Sequence, residues 1–219
     1  MTGELETGRR LRIRDMADEL GTSDMPVREA FRRLEESGLL EKTPYKGVVV
    51  RGLTQDELLE IYGVRRLLEP EAARLAAASA SHATVESVES MRQELTAMKD
   101  ALAEHRVTDF VDHDEQLLTI LYSGAGNRVL LDTIRAMWTR CRSYKVVGLQ
   151  RAIDSAEFAG LLVFREALIQ AVEAHDSEVA GQTIDASLRT ATVRIQKRLR
   201  HHDFPDAIGA AWEEIEIAQ

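Results

Sequence analysis

The sequence predicts a mainly α-helical protein with two domains, an N-terminal winged helix-turn-helix and a C-terminal antiparallel α-helical bundle. Three observations support this fold class. Residues 16–51 contain two helical patterns joined by a glycine turn, and then two short apolar runs. From residue 54 onwards, apolar residues recur at helical spacing in successive segments. The length of 219 residues is sufficient for two domains of unequal size.

The first two helical patterns predict a helix-turn-helix. The first ends at Gly21, which supplies the left-handed backbone of a tight helix stop. The second begins near Ser23 or Asp24, either of which can cap it. Arg28 and Arg32 are four residues apart, so they share one face of this helix, separate from its apolar stripe. Such a row suits the major groove of DNA, where arginine binds guanine edges or phosphates.

A small hairpin, the wing, is predicted next. Its strands are the apolar runs Leu39–Thr43 and Gly47–Arg51, and proline and glycine mark the turn between them. Lys42 and Lys46 add positive charge beside the turn. An arginine pair on a helix is usually only a solvated face, and many helical proteins contain a helix-turn-helix. Together with a basic wing, however, the pattern indicates a DNA-binding domain.

The remaining sequence predicts helices only. Pro70 lies inside the first of them, where it would kink or restart the helix. We place the DNA-binding domain at residues 1–53 and the helical domain at residues 54–202. Residues 203–219 form a tail in which Ala207–Ile217 has the pattern of a short amphipathic helix. The predicted helices of the second domain are about Thr54–Ser79, Thr84–Glu104, Val107–Ser123, Asn127–Val147, Ser155–Ala174 and Asp176–His201.

Charge and composition restrict the compartment and the mode of DNA binding. The net charge is −9, but residues 1–53 hold ten basic and ten acidic residues, so the excess acidity belongs to the second domain. DNA binding should therefore depend on local arginines and be sensitive to salt. The single cysteine, Cys141, suits a reducing compartment. No apolar run approaches the roughly 20 residues of a membrane span, and no secretion signal opens the chain. We therefore expect a cytoplasmic protein without a membrane partner.

Two motifs resemble a known family. PVREAFRRLEESGLLE, followed by Lys46-Gly47, resembles the GntR family of bacterial transcription regulators, and TQDELLEIYGVRRLLEPEAARLAA resembles the start of the FCD effector domain of its FadR-like branch. The resemblance extends from about Gly3 to about Leu199. It implies a homodimeric, ligand-responsive repressor of a palindromic DNA operator. The residues at or beside the family's DNA-contacting positions are Arg14, Ser23, Asp24, Met25, Arg28, Arg32, Lys46 and Gly47.

Two departures from the family pattern concern the DNA-binding domain. Relatives usually have a basic residue at the position of Asp24. An aspartate cannot pair with phosphate, so Asp24 either accepts from a cytosine amino group or stabilises the helix N-terminus by charge–dipole attraction, and we favour the second. We also expect the family's first helix to be missing, because the chain starts at Met1; a shortened chain and a misplaced start both remain open. The alternative function is a ligand-binding or dimerisation protein with impaired DNA binding.

The family resemblance also implies where a metal would bind. Many FCD domains hold a metal ion with one Asp and three His. Here the Asp position is Asp114, whereas the His positions fall on Leu118, Arg165 and Ser187. Leu118 has no donor atom and Arg165 would repel a cation. A rival Asp109–His113 pair is displaced from the family register. We therefore predict neither a metal nor another cofactor.

Arg165 then has two interpretations. In the first, it forms a buried ion pair with Asp114 that fills the space of the metal. In the second, it binds a carboxylate or phosphate of the effector, with Ser187 donating a hydrogen bond. We expect a small organic acid or acyl compound, bound without metal. The predicted effector pocket contains Asp114, Leu118, Trp138, Arg140, Arg165 and Ser187.

An enzyme is the competing class of function. The sequence contains no Gly-rich phosphate loop, no Ser-centred elbow and no metal-ligand cluster. Asp114 could serve as a catalytic carboxylate, but the sequence supplies no nucleophile beside it. We therefore predict that the protein is not an enzyme.

Overall fold

The structure, a computed structural model, describes residues 8–36, 40–43, 47–79, 84–150 and 157–200. The described residues divide into two compact units. Residues up to Asp56 and those from Lys197 belong to the first, and Glu57–Gln196 form the second. Several predictions concern residues outside the described ones: the N-terminal residues 1–7, the wing turn with Lys46, and the tail from residue 203 with its Ala207–Ile217 segment.

The first unit is a winged helix-turn-helix. Its elements are β1 (Arg10–Leu11), α1 (Ile13–Leu20), α2 (Asp24–Glu36), β2 (Leu40–Thr43) and β3 (Gly47–Val50). The strands form one antiparallel sheet in the order β1-β3-β2. The sequence predicts the hairpin of β2 and β3 but not β1, because a strand of two residues is too short to show an alternating pattern.

The turn between α1 and α2 depends on Gly21. Its backbone has φ +63° and ψ 35°, the left-handed conformation that the sequence predicts. The Thr22 N–H donates to the Ala17 carbonyl at 3.0 Å, which closes the end of α1. α2 then packs its apolar face against α1 and the sheet. The buried core of this unit consists of Leu11, Ala17, Val27, Phe31, Leu40 and Val48.

The second unit is helical throughout its described residues. Its elements are α3 (Gln55–Ala78), α4 (Val85–Ala103), α5 (Val107–Ser123), α6 (Arg128–Gln150), α7 (Glu157–Glu173) and α8 (Ser177–Arg200). The predicted mainly helical fold class is confirmed. Pro70 is buried inside α3, and the helix continues through it rather than restarting. No described helix is both long enough and apolar enough to cross a membrane.

Polar side chains at their N-termini explain where three of these helices begin. Thr84 Oγ1 accepts the Ser87 N–H at 3.2 Å at the start of α4. Asn127 accepts the Leu130 N–H at 3.0 Å before α6, and the Asp176 carboxylate accepts the Val179 N–H at 3.0 Å before α8. Each cap satisfies a backbone donor that has no partner within its helix.

α5 is the central helix of the site described below. It packs against α4 and α6, and α4 also packs against α7. Phe110, Val111 and Leu117 of α5 are completely buried. A polar residue on the buried face of α5 therefore needs partners from the neighbouring helices.

Candidate DNA-binding surface and effector site

The α2 helix buries its apolar face and exposes its basic face. Val27 and Phe31 are in the core, whereas Arg28 is exposed one turn before Arg32. Met25, in the first turn, has an exposed fraction of 73%. This arrangement leaves the start and one face of α2 accessible to a large ligand. Every predicted contact on α1, α2 and the turn between them is exposed: Arg14, Ser23, Asp24, Met25, Arg28 and Arg32.

The two predicted arginines of α2 differ in their surroundings. Arg32 forks onto Glu29, with Nη2 at 2.8 Å from Oε1 and Nε at 3.3 Å from Oε2. The hydrogen bond and the charge of Arg32 lower the pKa of the Glu29 carboxyl. Arg28 has no carboxylate partner among the described residues. Arg28 is thus the more available donor, and Arg32 is held in one orientation.

Asp24 is the first residue of α2 and lies in its first turn. This position agrees with the interpretation that its charge stabilises the helix N-terminus. Its side chain is exposed, so a contact with a base also remains open. The structure is therefore compatible with both interpretations of Asp24.

Arg10 of β1 is a cation beside the wing that no sequence pattern indicates. Gly47 begins β3 with φ +81° and is exposed. A Cβ atom at this position would lie 3.8 Å from Arg10 Nε and 3.9 Å from Nη2. The guanidinium of Arg10 therefore lies beside Gly47, where β1 pairs with β3. The sequence does not predict this position of Arg10, because the residue belongs to the two-residue strand β1, which has no recognisable pattern.

Three helices bring charged side chains together at Asp114. This carboxylate lies on α5 and is completely buried. Arg165 of α7 donates from Nε to Oδ1 at 2.5 Å and from Nη2 to Oδ2 at 3.3 Å. Lys145 of α6 donates to Oδ2 at 2.7 Å. The expected contact between Asp114 and Arg165 is present, whereas the sequence analysis does not single out Lys145.

The charges of this cluster are stable at neutral pH. Burial alone would raise the pKa of Asp114, but the positive charges of Arg165 and Lys145 outweigh burial and hold that pKa well below its usual range. Burial also opposes the charge of Arg165, whereas Asp114 raises the pKa of its guanidinium above the ordinary value. We therefore treat Asp114 as an anion and Arg165 as a cation.

Arg165 keeps one unused hydrogen-bonding group. Asp114 occupies the side edge of the guanidinium, formed by Nε and Nη2. Nη1 is buried and has no hydrogen-bond partner among the described residues. A guanidinium is a planar fork whose end edge, formed by Nη1 and Nη2, can receive a second carboxylate. Buried donors are nearly always paired with protein groups, ligands or ordered water, so Nη1 is available to a further acceptor.

The other two family positions are buried as well. Leu118 lies one turn after Asp114 on α5, so the two share a face. Ser187 of α8 is buried, but its hydroxyl makes no hydrogen bond with Asp114 or Arg165. Burial is compatible with a place for both residues in the predicted pocket, which stays a prediction.

These residues do not fit the family's metal site. The carboxylate of Asp114 already binds two cationic groups, Leu118 has no donor atom, and Arg165 is itself a cation. The described residues contain no group of three His, Cys, Asp or Glu side chains that could hold a metal ion. The rival Asp109–His113 pair does not form a site, because Asp109 pairs with Arg106 and His113 with Glu94.

Trp138 belongs to a second buried network rather than to the Asp114 cluster. Glu69 of α3 accepts from Arg65 Nε at 2.6 Å, from Trp138 Nε1 at 2.8 Å and from the Tyr122 hydroxyl at 3.1 Å. Both oxygens of this carboxylate are therefore satisfied. Arg140 is partly exposed on α6, and neither it nor Trp138 hydrogen-bonds to Asp114 or Arg165. The membership of these two residues in the effector pocket therefore stays a prediction.

An open groove of about 550 Å³ lies between α4, α5 and α6. Trp138 lines one side of it, and His113 contacts Glu94 at 2.7 Å on another. Arg142 pairs with both Asp112 and Glu115 at the rim. The opposite charges of the groove are largely paired with one another, so the groove itself does not indicate an anionic or a cationic ligand.

Two family models match the chain. The one described as "Bacterial regulatory proteins, gntR family" matches residues 1–50, and the one described as "FCD domain" matches residues 60–190. This chain belongs to the GntR family and carries an FCD domain. GntR proteins are transcription regulators rather than enzymes. They bind DNA operators, and their FCD domains bind small-molecule effectors.

Curated relatives and a solved structure agree with this assignment. The chain is 47% identical over 75 residues to a "Probable D-xylose utilization operon transcriptional repressor" of Paenarthrobacter nicotinovorans, covering 34% of this chain and 33% of the relative. It is 32% identical over 141 residues to the "Nta operon transcriptional regulator" of Aminobacter aminovorans, covering 62% of each. Less than two thirds of either relative is covered. The solved structure of Escherichia coli McbR/YncC has a TM-score of 0.77 at 22% identity, over 89% of this chain and 90% of that one, which shows the shared fold.

Proposed function

We propose that this GntR regulator is a ligand-responsive cytoplasmic repressor. It binds a palindromic operator as a homodimer, and its effector is a small organic acid or acyl compound bound in the FCD domain without metal. The buried, unpaired Nη1 of Arg165 carries the proposal for the effector. The DNA-binding function follows from the family.

The reading surface consists of α2, the start of α1 and the wing. Arg28, which has no carboxylate partner in the described part of the chain, can bind a guanine edge or a phosphate. Arg32 is already oriented by Glu29, which reduces the entropy lost on binding. The exposed side chain of Met25 suits contact with a thymine methyl group. Arg10 adds a phosphate contact beside Gly47 at the wing.

The effector site is built around the end edge of Arg165. A carboxylate bound there would receive two parallel hydrogen bonds and would pair the buried Nη1. Leu118 supplies an apolar wall for the rest of the ligand, and Ser187 is a hydroxyl donor on another helix. The ion pair with Asp114 and the binding of an effector are therefore compatible, because they use different edges of one guanidinium.

Regulation follows if the effector binds more tightly to one arrangement of the dimer than to another. Only such a difference in affinity can shift the population between arrangements that bind the operator and arrangements that do not. The proposed site joins α5, α6 and α7. A ligand bound there would therefore favour the arrangement in which these three helices fit it best.

Two experiments test the proposal. A gel-shift assay with the DNA upstream of its own gene should give a salt-sensitive complex of the full chain. Absence of any such complex would favour the alternative, a ligand-binding or dimerisation protein with impaired DNA binding. Sedimentation velocity should give a dimer, and a monomer at micromolar concentration would contradict the homodimer.

The effector class is tested by thermal unfolding with small carboxylates and acyl thioesters. A ligand that binds only the folded state raises the unfolding temperature. We expect this increase in the wild type and its loss in Arg165→Ala. Equal increases in both proteins would remove Arg165 from the effector site.

A further inference from the structure

Arg12 ends an extended segment whose side chains alternate between the core and the solvent. Leu11 is buried in the core of the first unit, whereas its neighbours Arg10 and Arg12 are exposed. The backbone of Arg12 has φ −112° and ψ 134°, so it continues the extended conformation of β1 up to the start of α1. Successive side chains of extended backbone lie on opposite faces. Arg10 and Arg12 therefore share the face opposite Leu11.

The antiparallel pairing of β1 with β3 brings Arg12 to the wing. Leu11 lies opposite Val48, so the register continued by one residue places Arg12 opposite Gly47, where β3 begins. The guanidinium of Arg10 also lies beside Gly47. Both arginines are thus next to the end of the wing turn, on a backbone that the sheet holds in place.

Several other cations of the DNA-binding domain are paired with carboxylates. Lys42 of the wing donates to Glu35 at 2.7 Å. Glu29 binds both Arg32 and Arg33. Because residues 1–53 carry no net charge, attraction to DNA depends on cations without such partners. Among the described residues between 8 and 50, four arginines have no carboxylate partner: Arg10, Arg12, Arg14 and Arg28.

We infer that Arg10 and Arg12, with Gly47, form a phosphate-binding edge that holds the DNA backbone beside the wing. This inference deepens the DNA-binding surface proposed above and rests on it. Two residues of extended backbone span about 6.6 Å, which is close to the spacing of successive phosphates along one DNA strand. An arginine without an internal partner binds a phosphate without breaking an ion pair. Such contacts contribute affinity at any sequence, so Arg12 contributes to affinity and not to sequence preference.

The test measures how DNA affinity depends on salt. The full chain is titrated by fluorescence anisotropy into two duplexes of equal length, one taken from the DNA upstream of its own gene and one of mixed sequence. Each titration is repeated between about 50 and 200 mM salt. Loss of one phosphate contact should reduce the slope of log affinity against log salt concentration by about 0.9. We expect this reduction on both duplexes in Arg10→Gln and in Arg12→Gln, and about twice as much in the double variant.

A neighbouring arginine provides the matched control. Arg9→Gln removes the same charge from the same segment, but the guanidinium of Arg9 lies 4.0 Å from Glu19. We therefore expect Arg9→Gln to keep the wild-type slope. Arg12→Lys should also keep it, because a lysine binds phosphate as a point charge. Between about 50 and 200 mM salt, one contact accounts for roughly a threefold change in affinity, which anisotropy resolves.

The possible failures are distinguishable. A wild-type slope in the double variant would overturn the inference and leave the DNA-binding function intact. An equal reduction in Arg9→Gln would assign the effect to overall charge and would also overturn it. A larger loss of affinity for the upstream duplex than for the mixed one would mean that these arginines contact bases rather than phosphates. If the wild type binds neither duplex, the proposed operator binding is itself wrong and the inference fails with it.

Discussion

Asp114 is the buried carboxylate of the FCD domain that binds two cations. Its carboxylate receives hydrogen bonds from Arg165 and Lys145, which come from two other helices. Removing one member of a buried ion pair is expensive because the remaining charge keeps its desolvation cost without its partner. Loss of Asp114 would therefore destabilise the domain mainly because Arg165 and Lys145 would remain without their shared counter-charge.

Replacing Asp114 with asparagine tests this. We expect Asp114→Asn to lower the free energy of unfolding by about 3–5 kcal/mol in urea titrations, because two cations lose their counter-charge. Arg189→Ala is the control, since Arg189 pairs with Asp185 on the surface and such pairs contribute about 1 kcal/mol or less. A loss below about 1 kcal/mol in Asp114→Asn would contradict the ion-pair assignment.

Asp114 should also make the stability of the folded state depend on pH. Its cationic neighbours hold the pKa of Asp114 below the value in the unfolded chain, so the folded state favours the ionised carboxylate. This contribution is complete above the unfolded-state pKa of about 4 and is lost as the pH falls towards the folded-state pKa. The stability difference between the wild type and Asp114→Asn should therefore shrink below about pH 4. A constant difference from pH 7 to pH 3 would contradict this assignment.

Arg28 provides the corresponding prediction for DNA. If Arg28 contacts a base with both nitrogens of its fork, Arg28→Ala should weaken operator binding by about 1–3 kcal/mol in fluorescence anisotropy. Arg33→Ala is a matched control, because Arg33 is an exposed arginine of the same helix that the sequence analysis does not assign to DNA. Unchanged affinity in Arg28→Ala would remove Arg28 from the interface.

The sequence predicts individual contacts only where a motif fixes the position. The contact between Arg165 and Asp114 is predictable because the family register assigns both residues to one site. No motif marks Lys145 or Glu69, because Asp114, Tyr122 and Trp138, to which they hydrogen-bond, are distant from them in sequence. The sequence places Trp138 and Arg140 on one helix but does not show which of its side chains reach Asp114, and the hydrogen bond from Trp138 to Glu69 carries no sequence signal.

At the scale of elements, the turn between α1 and α2 depends on backbone conformation rather than on space. A Cβ atom at Gly21 would meet nothing within 4 Å, but φ is +63°. We therefore expect Gly21→Ala to destabilise the first unit by about 1–2 kcal/mol, from the left-handed backbone alone. Gly21→Asn should cost less, because asparagine tolerates this conformation better. Chemical denaturation followed by circular dichroism measures both, and equal costs would contradict a conformational origin.

Helices are the elements that the sequence predicts best. The predicted bounds of α3, α4 and α5 agree with the structure to within one residue, because threonine caps and apolar periodicity mark them. The end of α6 is less well predicted, since the helix continues three residues beyond Val147. Pro70 is compatible with an unbroken α3, which local propensity alone does not predict.

At the scale of the whole molecule, charge is unevenly distributed along the chain. The net charge of −9 belongs entirely to residues after 53. DNA therefore attracts the reading surface through individual arginines and not through an overall positive charge. The family and the fold are predictable from motifs that extend over most of the chain, whereas the effector is not, because this site departs from the family's metal ligands.

Operator geometry offers a prediction at this scale. A homodimer reads two half-sites about one helical turn apart, on the same side of the duplex. Inserting about 5 base pairs between the half-sites turns one of them to the opposite side and should weaken binding at least about tenfold, or 1.4 kcal/mol. An insertion of about 10 base pairs restores the side and should be less harmful. Equal affinities for both insertions would mean that the subunits bind independently.

The attachment of Lys145 and Arg165 to one carboxylate limits how this protein could evolve towards a metal-responsive regulator. Changing Arg165 to histidine supplies one imidazole but leaves Lys145 on Asp114, where a metal would have to bind. Replacing Lys145 first leaves Arg165 in place. Neither single step frees Asp114 of both cations, so a metal site at this position requires at least two substitutions.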